Sequence, residues 1–431
     1  MDKHKWKKLW GRTKENLQFL KLEEDEELDD QLQVEEKEVS SENILKIDLP
    51  EGDLKEKLER NRIRRLRRRI VIVAIAACII GGFTLYNRLH TFKDYTIAES
   101  FENTVASGTK YETVGKKIYR YNSDGVSCVT RENEVEWSIT YNMQAPIADV
   151  SGTTMAIAEQ QGTQVCVVNE DGLVGSFECL NPILKVRVSN QGVVAVVLEE
   201  DDITRISLYS AEGTLIADDK TTVAESGYPL DMDISPDGKK LAVSYLGIEN
   251  GITTTNVTFY NFGKEGDATG NYEVSSEKLQ ETVVPEIFFT GNSTAAAVAD
   301  NGFLVFRGSK EPELAERIEF QEEIISTFHD EERIGFLFRS SVEEHDYRME
   351  LYNYRGKKKV SRNIDAKFDR IKIENDQILM YSDSECHIFT MSGQKRFESP
   401  YEKSISEIFY FTEFRKYLII TRDSFDRIRI S

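Results

Sequence analysis

The stretch KVRVSNQGVVAVVLEEDDITRISLYSAEGTLIADD, residues 185–219, decides the fold. It breaks into four short runs: KVRVS (185–189), VVAVVLEE (193–200), TRISLYS (204–210) and TLIADD (214–219). The runs are rich in β-branched residues and show no sustained period of 3.6, which reads as strand rather than helix. Glu212-Gly213 precedes the fourth run. A glycine there supplies the positive φ that a tight hairpin demands.

The same order recurs on both sides. The preceding unit reads IADVS (147–151), TTMAIAEQ (153–160), TQVCVVN (163–169), then Asp171-Gly172 and LVGSFEC (173–179). The following unit reads DMDIS (231–235), the turn Pro236-Asp237-Gly238, KKLAVSYL (239–246), TTNVTFYNF (254–262) and Gly263. Later units open at EIFFT (286–290), IISTF (324–328) and RIKIE (370–374). The turn ahead of the fourth strand falls near Asn133, then at Gly172, Gly213, Gly263, Gly308, Gly356 and Gly393, in steps of 39, 41, 50, 45, 48 and 37 residues. Four strands in each such step is the period of a β-propeller and exceeds what one sandwich holds.

The fold expected is therefore an all-β propeller over residues 111–431. Its ends suggest closure. KIYRYN (117–122), VSCVTR (126–131) and EVEWSI (134–139) resemble strands two to four of a unit, and EIFYF (407–411), KYLIIT (416–421) and RIRI (427–430) resemble strands one to three. Joined in one blade they give seven blades, with eight as the alternative, and leave no open ring edge.

The chain ahead of the repeat is different. Residues 70–86, IVIVAIAACIIGGFTLY, carry no charge over 17 positions. That is about 25 Å of helix, slightly short of a ~30 Å hydrocarbon core, so flanking Arg69 and Arg88 would have to snorkel. Seven arginines precede it: Arg60, Arg62, Arg64, Arg65, Arg67, Arg68 and Arg69. The positive-inside rule then puts the N-terminus in the cytoplasm and the repeat outside, on an uncleaved single-pass anchor. Residues 1–69 read as a charged tail, mostly disordered, and 87–110 as a linker. The net charge of −20 divides accordingly: residues 1–69 hold 18 basic and 18 acidic side chains, so all the excess acid lies beyond them. That excess argues against nucleic acid as a partner.

No catalytic constellation emerges. Beyond residue 86 the histidines are His90, His329, His345 and His387, spread over the linker and different units, and there is no G-x-S-x-G or H-E-x-x-H. Cys386 and His387 are adjacent on a strand and face opposite sides. Asp231 and Asp233 share one strand face, a mild hint of a cation site, but no D-x-D-x-D-G loop accompanies them. Cys128, Cys166, Cys179 and Cys386 permit disulfides without implying one; with Val168 opposite Leu173, Cys166 faces Gly175, leaving Cys179 too far along. Catalytic, cofactor and metal residues are therefore expected to be none. Two longer segments, residues 246–256 and 264–286, read as mobile loops on one face of the ring.

Several phrases carry a resemblance. DISPDGKKLAVSYL (233–246) resembles the Pro-Asp-Gly turns of TolB-like propellers, and GVSCVTRENEVEWSI (125–139) looks like a quinoprotein-type blade with Trp137 in its last strand. YNSDGVSCV (121–129), EWSITYNMQAPIADV (136–150), VSNQGVVAVVLEE (188–200), SGYPLDMDISPDGKKLAVSYL (226–246) and VTFYNFG (257–263) occur in that order. With the Arg-flanked anchor they resemble a family of uncharacterised single-pass membrane proteins of clostridial-type Gram-positive bacteria, over roughly residues 60–431. The resemblance implies a propeller at the bacterial cell surface and carries over no activity. The function expected is a non-catalytic binding or scaffold module whose partner is a protein or a cell-wall polymer. The alternatives are a transmembrane sensor and a carbohydrate-active or quinone-linked enzyme. Carboxylates converging at the channel mouth with raised pKa values would favour the enzyme.

Overall fold

A computed structural model describes residues 51–431 apart from 107, 201–202, 223–225 and 412–414. The expected disorder of the tail falls mainly on residues 1–50, outside the described residues. The chain divides between residues 82 and 83 into two units.

A helix runs over Glu51–Leu89 and carries the arginine series on its first half, so residues 51–69 are helical rather than part of a loose tail. The apolar run falls on its second half. Among the described residues, no helix is long and apolar enough to cross a membrane. The uncharged stretch is the limiting element: it is less than half of a helix that is otherwise dense in charge.

Residues 95–431 form eight four-stranded antiparallel sheets, one blade each. Blade 1 covers residues 110–140, blade 2 146–178, blade 3 183–222, blade 4 228–280, blade 5 286–319, blade 6 324–364 and blade 7 370–400. Blade 8 takes three strands from residues 405–430, and Tyr95–Glu102 is its outermost strand. The expectation of seven blades is corrected here. The N-terminal unit needs no strand from the C-terminus because Lys110–Val114 is its own first strand. The three C-terminal strands are completed by Tyr95–Glu102, from the presumed linker. That strand, YTIAESFE, is exposed over most of its length, so its apolar signal is faint.

The core is eight separate clusters, one at each junction between neighbouring blades. The period of two in the central strands explains this. In the strand Val194–Glu200, Val194, Val196 and Leu198 pack toward blade 2, while Ala195 and Val197 pack toward blade 4. Central strands are therefore apolar on both faces, and the fourth strands, with one face in water, alternate.

The fourth strand of each of blades 1–7 is irregular in the same place. Val167 lies opposite Gly175 and Val168 opposite Leu173, so Val174 is extra. Equivalent bulges sit beside Val129, Tyr209, Tyr260, Phe306, Tyr352 and Phe389. The bulge moves Cys166 from the expected Gly175 to Ser176. All five cysteines are free thiols, and all but Cys78 are buried.

The turn glycines divide into two kinds. Gly172, Gly213, Gly356 and Gly393 have φ of +117°, +87°, +69° and +77°, and Asn133 takes the same place with +63°. Gly263 has φ −94° and opens the short helix Lys264–Asp267. Gly308 is outside the left-handed region too; a Cβ there would lie 2.1 Å from the Glu311 carbonyl oxygen. The two long segments of blade 4 are structured, not mobile loops on one face. The first extends the hairpin of the ten-residue strands Lys240–Glu249 and Ile252–Asn261, and the second holds the helix and the strand Glu273–Gln280. They join strands two to three and three to four, so they lie at opposite ends of the blade.

Candidate functional site

The first strand of each blade runs closest to the axis, and first strands of adjacent blades approach one another there. They are not hydrogen-bonded as a sheet, so their axial N–H groups need other acceptors. The sequence provides carboxylates inside otherwise apolar runs, Glu112, Asp149, Asp231 with Asp233, Glu286, Glu374 and Glu407, and sets the cations Arg187 and Lys372 among them. His329 ends the first strand of blade 6. Every blade thus sends at least one ionisable side chain toward the channel.

Several of these carboxylates bridge consecutive blades. Asp149 of blade 2 accepts from the Val188 N–H of blade 3 at 2.7 Å. Asp231 and Asp233 of blade 4 accept from Ile287 and Phe289 of blade 5 at 3.1 and 2.6 Å. Glu374 of blade 7 accepts from Tyr410 of blade 8 at 2.8 Å. Arg187 donates to Asp231 at 2.8 Å, and Lys185 reaches the same oxygen at 3.5 Å. The expected D-x-D face is real, but both carboxylates serve backbone groups and one also serves Arg187. Among the described residues, no group of three or more His, Cys, Asp or Glu could hold a metal ion.

Around blades 2–6 the channel widens into a cavity of about 620 Å³ lined by Asp149, Arg187, Asp233, Glu286 and His329 among others. Burial pushes the Asp149 carboxyl up, against the pull of Arg187. Burial, with Asp149 adding, pushes Asp233 up to about 8. Burial works the same way on Glu286, but its bond with His329 at 3.2 Å prevails and holds it below the ordinary range. The His329 ring stacks on Phe288, with centroids 3.5 Å apart.

A second cavity of about 570 Å³ lies against blades 7, 8 and 1, lined by Glu112, Lys372, Glu374 and Glu407 among others. Lys372 bridges Glu407 at 2.9 Å and Glu374 at 3.2 Å, and Tyr381 also donates to Glu407. Desolvation, with Glu407 adding, pushes Glu112 up to about 7.

Of the residues singled out from sequence, Asp231, Asp233 and His329 come together at the first cavity, and the others lie elsewhere. His345 pairs with Asp365 at 2.9 Å and His387 is buried in blade 7 beside Glu385. The named glycines are in the turns between third and fourth strands. The channel residues were missed as a set, although the signal was visible: each unit's first strand contains an ionisable residue.

Residues 88–430 match the family described as "Family of unknown function (DUF5711)", and the chain belongs to that family. No curated protein matches it significantly. Among solved structures, BamB from Moraxella catarrhalis is similar at 10% identity and a TM-score of 0.48, covering 78% of this chain and 100% of that one. A eukaryotic initiation factor is similar at 12% identity and a TM-score of 0.49, covering 77% of this chain and 87% of that one. The acylaminoacyl peptidase of Pyrococcus horikoshii is similar at 12% identity and a TM-score of 0.40, covering 64% and 48%.

Proposed function

We propose that this member of the DUF5711 family is a membrane-anchored, extracytoplasmic propeller that acts as a non-catalytic binding or scaffold module at the bacterial cell surface. The observation that carries the binding role is the cavity of about 620 Å³ at the axis, where side chains of both signs from five consecutive blades meet solvent. Ligand sites are concavities in which a few polar groups converge, and function lies in such a site rather than in the fold. The excess of carboxylates there suits a cationic group on the ligand. The partner is a protein or a cell-wall polymer. The anchor rests on the uncharged run at 70–86 and its seven preceding arginines.

Two measurements test this reading. Membranes from the source cell are washed with alkaline carbonate; the full chain should stay in the pellet and its C-terminal part should be cleaved by protease added outside. Release into the wash would remove the anchor. Separately, binding of purified cell-wall polymer or of a polylysine probe should weaken roughly tenfold in an Asp149→Asn, Glu286→Gln double variant. Equal binding by both proteins would remove the channel site.

One observation favours an acid–base enzyme as a second reading. Asp233 is pushed up to about 8 while Glu286 is held low in the same cavity, the divergence that separates a general acid from a base. Turnover of a wall polysaccharide by the purified chain, abolished by Asp233→Asn, would establish it in place of the binding module.

A further inference from the structure

Among the described residues of 95–431, eleven large hydrophobic side chains are exposed, and six of them occupy one kind of position. Ile97, Val135, Leu173, Val174, Leu215 and Ile216 lie near the start of the outermost strands of blades 8, 1, 2 and 3. Those four blades are consecutive around the ring. The corresponding strands of blades 4–7 start with Glu273, Glu313, Lys358 and Lys395. The bulge explains the doubled residues: Val174 and Ile216 are the extra positions without an opposite partner, so each adds a second outward side chain.

Each turn rests on the preceding blade, and in blades 2 and 3 it does so within three residues of exposed apolar positions: Glu170 beside Trp137, and Glu212 beside Gly175. The Asn133 amide donates to the Glu102 carbonyl at 2.8 Å, Trp137 Nε1 donates to the Glu170 carbonyl at 3.2 Å, and Gly213 lies against Phe177. An exposed carboxylate stands just ahead of the apolar residues in each of blades 1–3: Glu134, Asp171 and Glu212. Apolar residues exposed in series mark an interaction surface. The carboxylates oppose an anionic bilayer and favour a partner with positive charge.

We propose that the rim of blades 1, 2 and 3 is a docking surface for a polypeptide segment that interleaves apolar side chains with Lys or Arg. This surface is separate from the channel and stands without the channel reading. Apolar anchors cover the rim residues while the basic side chains meet the turn carboxylates.

The test uses the full chain in nanodiscs of neutral phosphatidylcholine and a fluorescently labelled amphipathic helix built of leucine and lysine. Anisotropy should report saturable binding. A rim variant, Leu173→Ser with Val174→Ser, Leu215→Ser and Ile216→Ser, should weaken it by roughly tenfold or more. A charge variant, Glu134→Lys with Asp171→Lys and Glu212→Lys, should do the same while leaving the apolar residues and the melting temperature intact. A control, Ile248→Ser with Ile252→Ser on the far end of blade 4, should change it by less than about twofold. The proposal is overturned if the wild type does not bind, if the control weakens as much as the rim variant, or if the charge variant binds like wild type. Rim-dependent binding of anionic phosphatidylglycerol vesicles in place of the peptide would also overturn it, by assigning the surface to lipid.

Discussion

Gly213 shows how two demands converge on one residue. Its φ of +87° is left-handed, and a Cβ there would lie 2.4 Å from Phe177 Cβ of the neighbouring blade. The same placement recurs at Gly356, where the obstacle is Ile318, and at Gly393, where it is Arg362. The glycine thus serves its own hairpin and the packing of the next blade over. Replacing Gly213 with Ala should cost about 2–4 kcal/mol, the sum of the left-handed and overpacking penalties. Gly263→Ala should cost less than about 1 kcal/mol, because its φ of −94° suits any residue. Urea denaturation of the two variants makes the comparison; equal losses would mean the repeated glycines are a matter of turn composition only. The sequence made these turns legible through their spacing. It did not separate the two kinds, because whether a glycine faces a neighbouring blade depends on a strand some forty residues away.

At the level of the element, the eighth blade depends on its first-made strand. Tyr95 pairs with Ile430 and Glu102 with Ser424, and between them Ser100 donates to Asp426 at 2.5 Å. Asp426 is fully buried and also accepts from Tyr401, Lys403 and Ser424 at 2.6, 2.8 and 2.9 Å. Burial alone would raise its pKa, but Lys403 and the hydroxyl donors hold it below the ordinary value. A depressed folded pKa gives stability that is present above the unfolded value near 3.9 and is lost as pH falls through the lower folded one. Asp426→Ala leaves a buried cluster of donors without their acceptor and should cost about 2–4 kcal/mol at pH 7. Deleting residues 427–431 should lower the melting temperature, since Arg427, Ile428, Arg429 and Ile430 all pair with the closing strand. An unchanged melting temperature after that deletion would mean the ring holds without the pairing. This strand was the least legible part of the fold. Seven units announce themselves through buried apolar runs, but an outermost strand with one side in solvent needs few apolar residues, so 95–102 read as linker.

For the molecule as a whole, closure and charge are linked through the channel. Eight junction cores hold the blades side by side, while the axis carries carboxylates that serve as acceptors for neighbouring first strands. Asp149, Asp233 and Glu112 are all pushed up there. For an acid with a raised folded pKa, the native state keeps a proton that the unfolded chain has released. Stability therefore falls as pH rises from about 4 toward the folded values near 7 and 8. Thermal melts between pH 5 and 8 should show that decline, and Asp233→Asn should flatten it while preserving the acceptor for Phe289. A slope unchanged by Asp233→Asn would place the proton elsewhere. The architecture was open to sequence reading because strand order repeats locally. The channel was not, since it is assembled from residues that share a rank within their blades and nothing else.

The closing strand also sets a timetable. Ser100 and Asp426 are 326 positions apart. At roughly 5–20 residues per second, a ribosome takes about 15–65 s to make the intervening chain. Throughout that interval the strand at 95–102 has been synthesised and its partner has not. Blades 1–7 can condense in order as they appear, but the ring can shut only after residues 424–430 arrive. Long-range pairing of this kind slows folding. Completion of the ring is thus a late event that waits on residues 424–430.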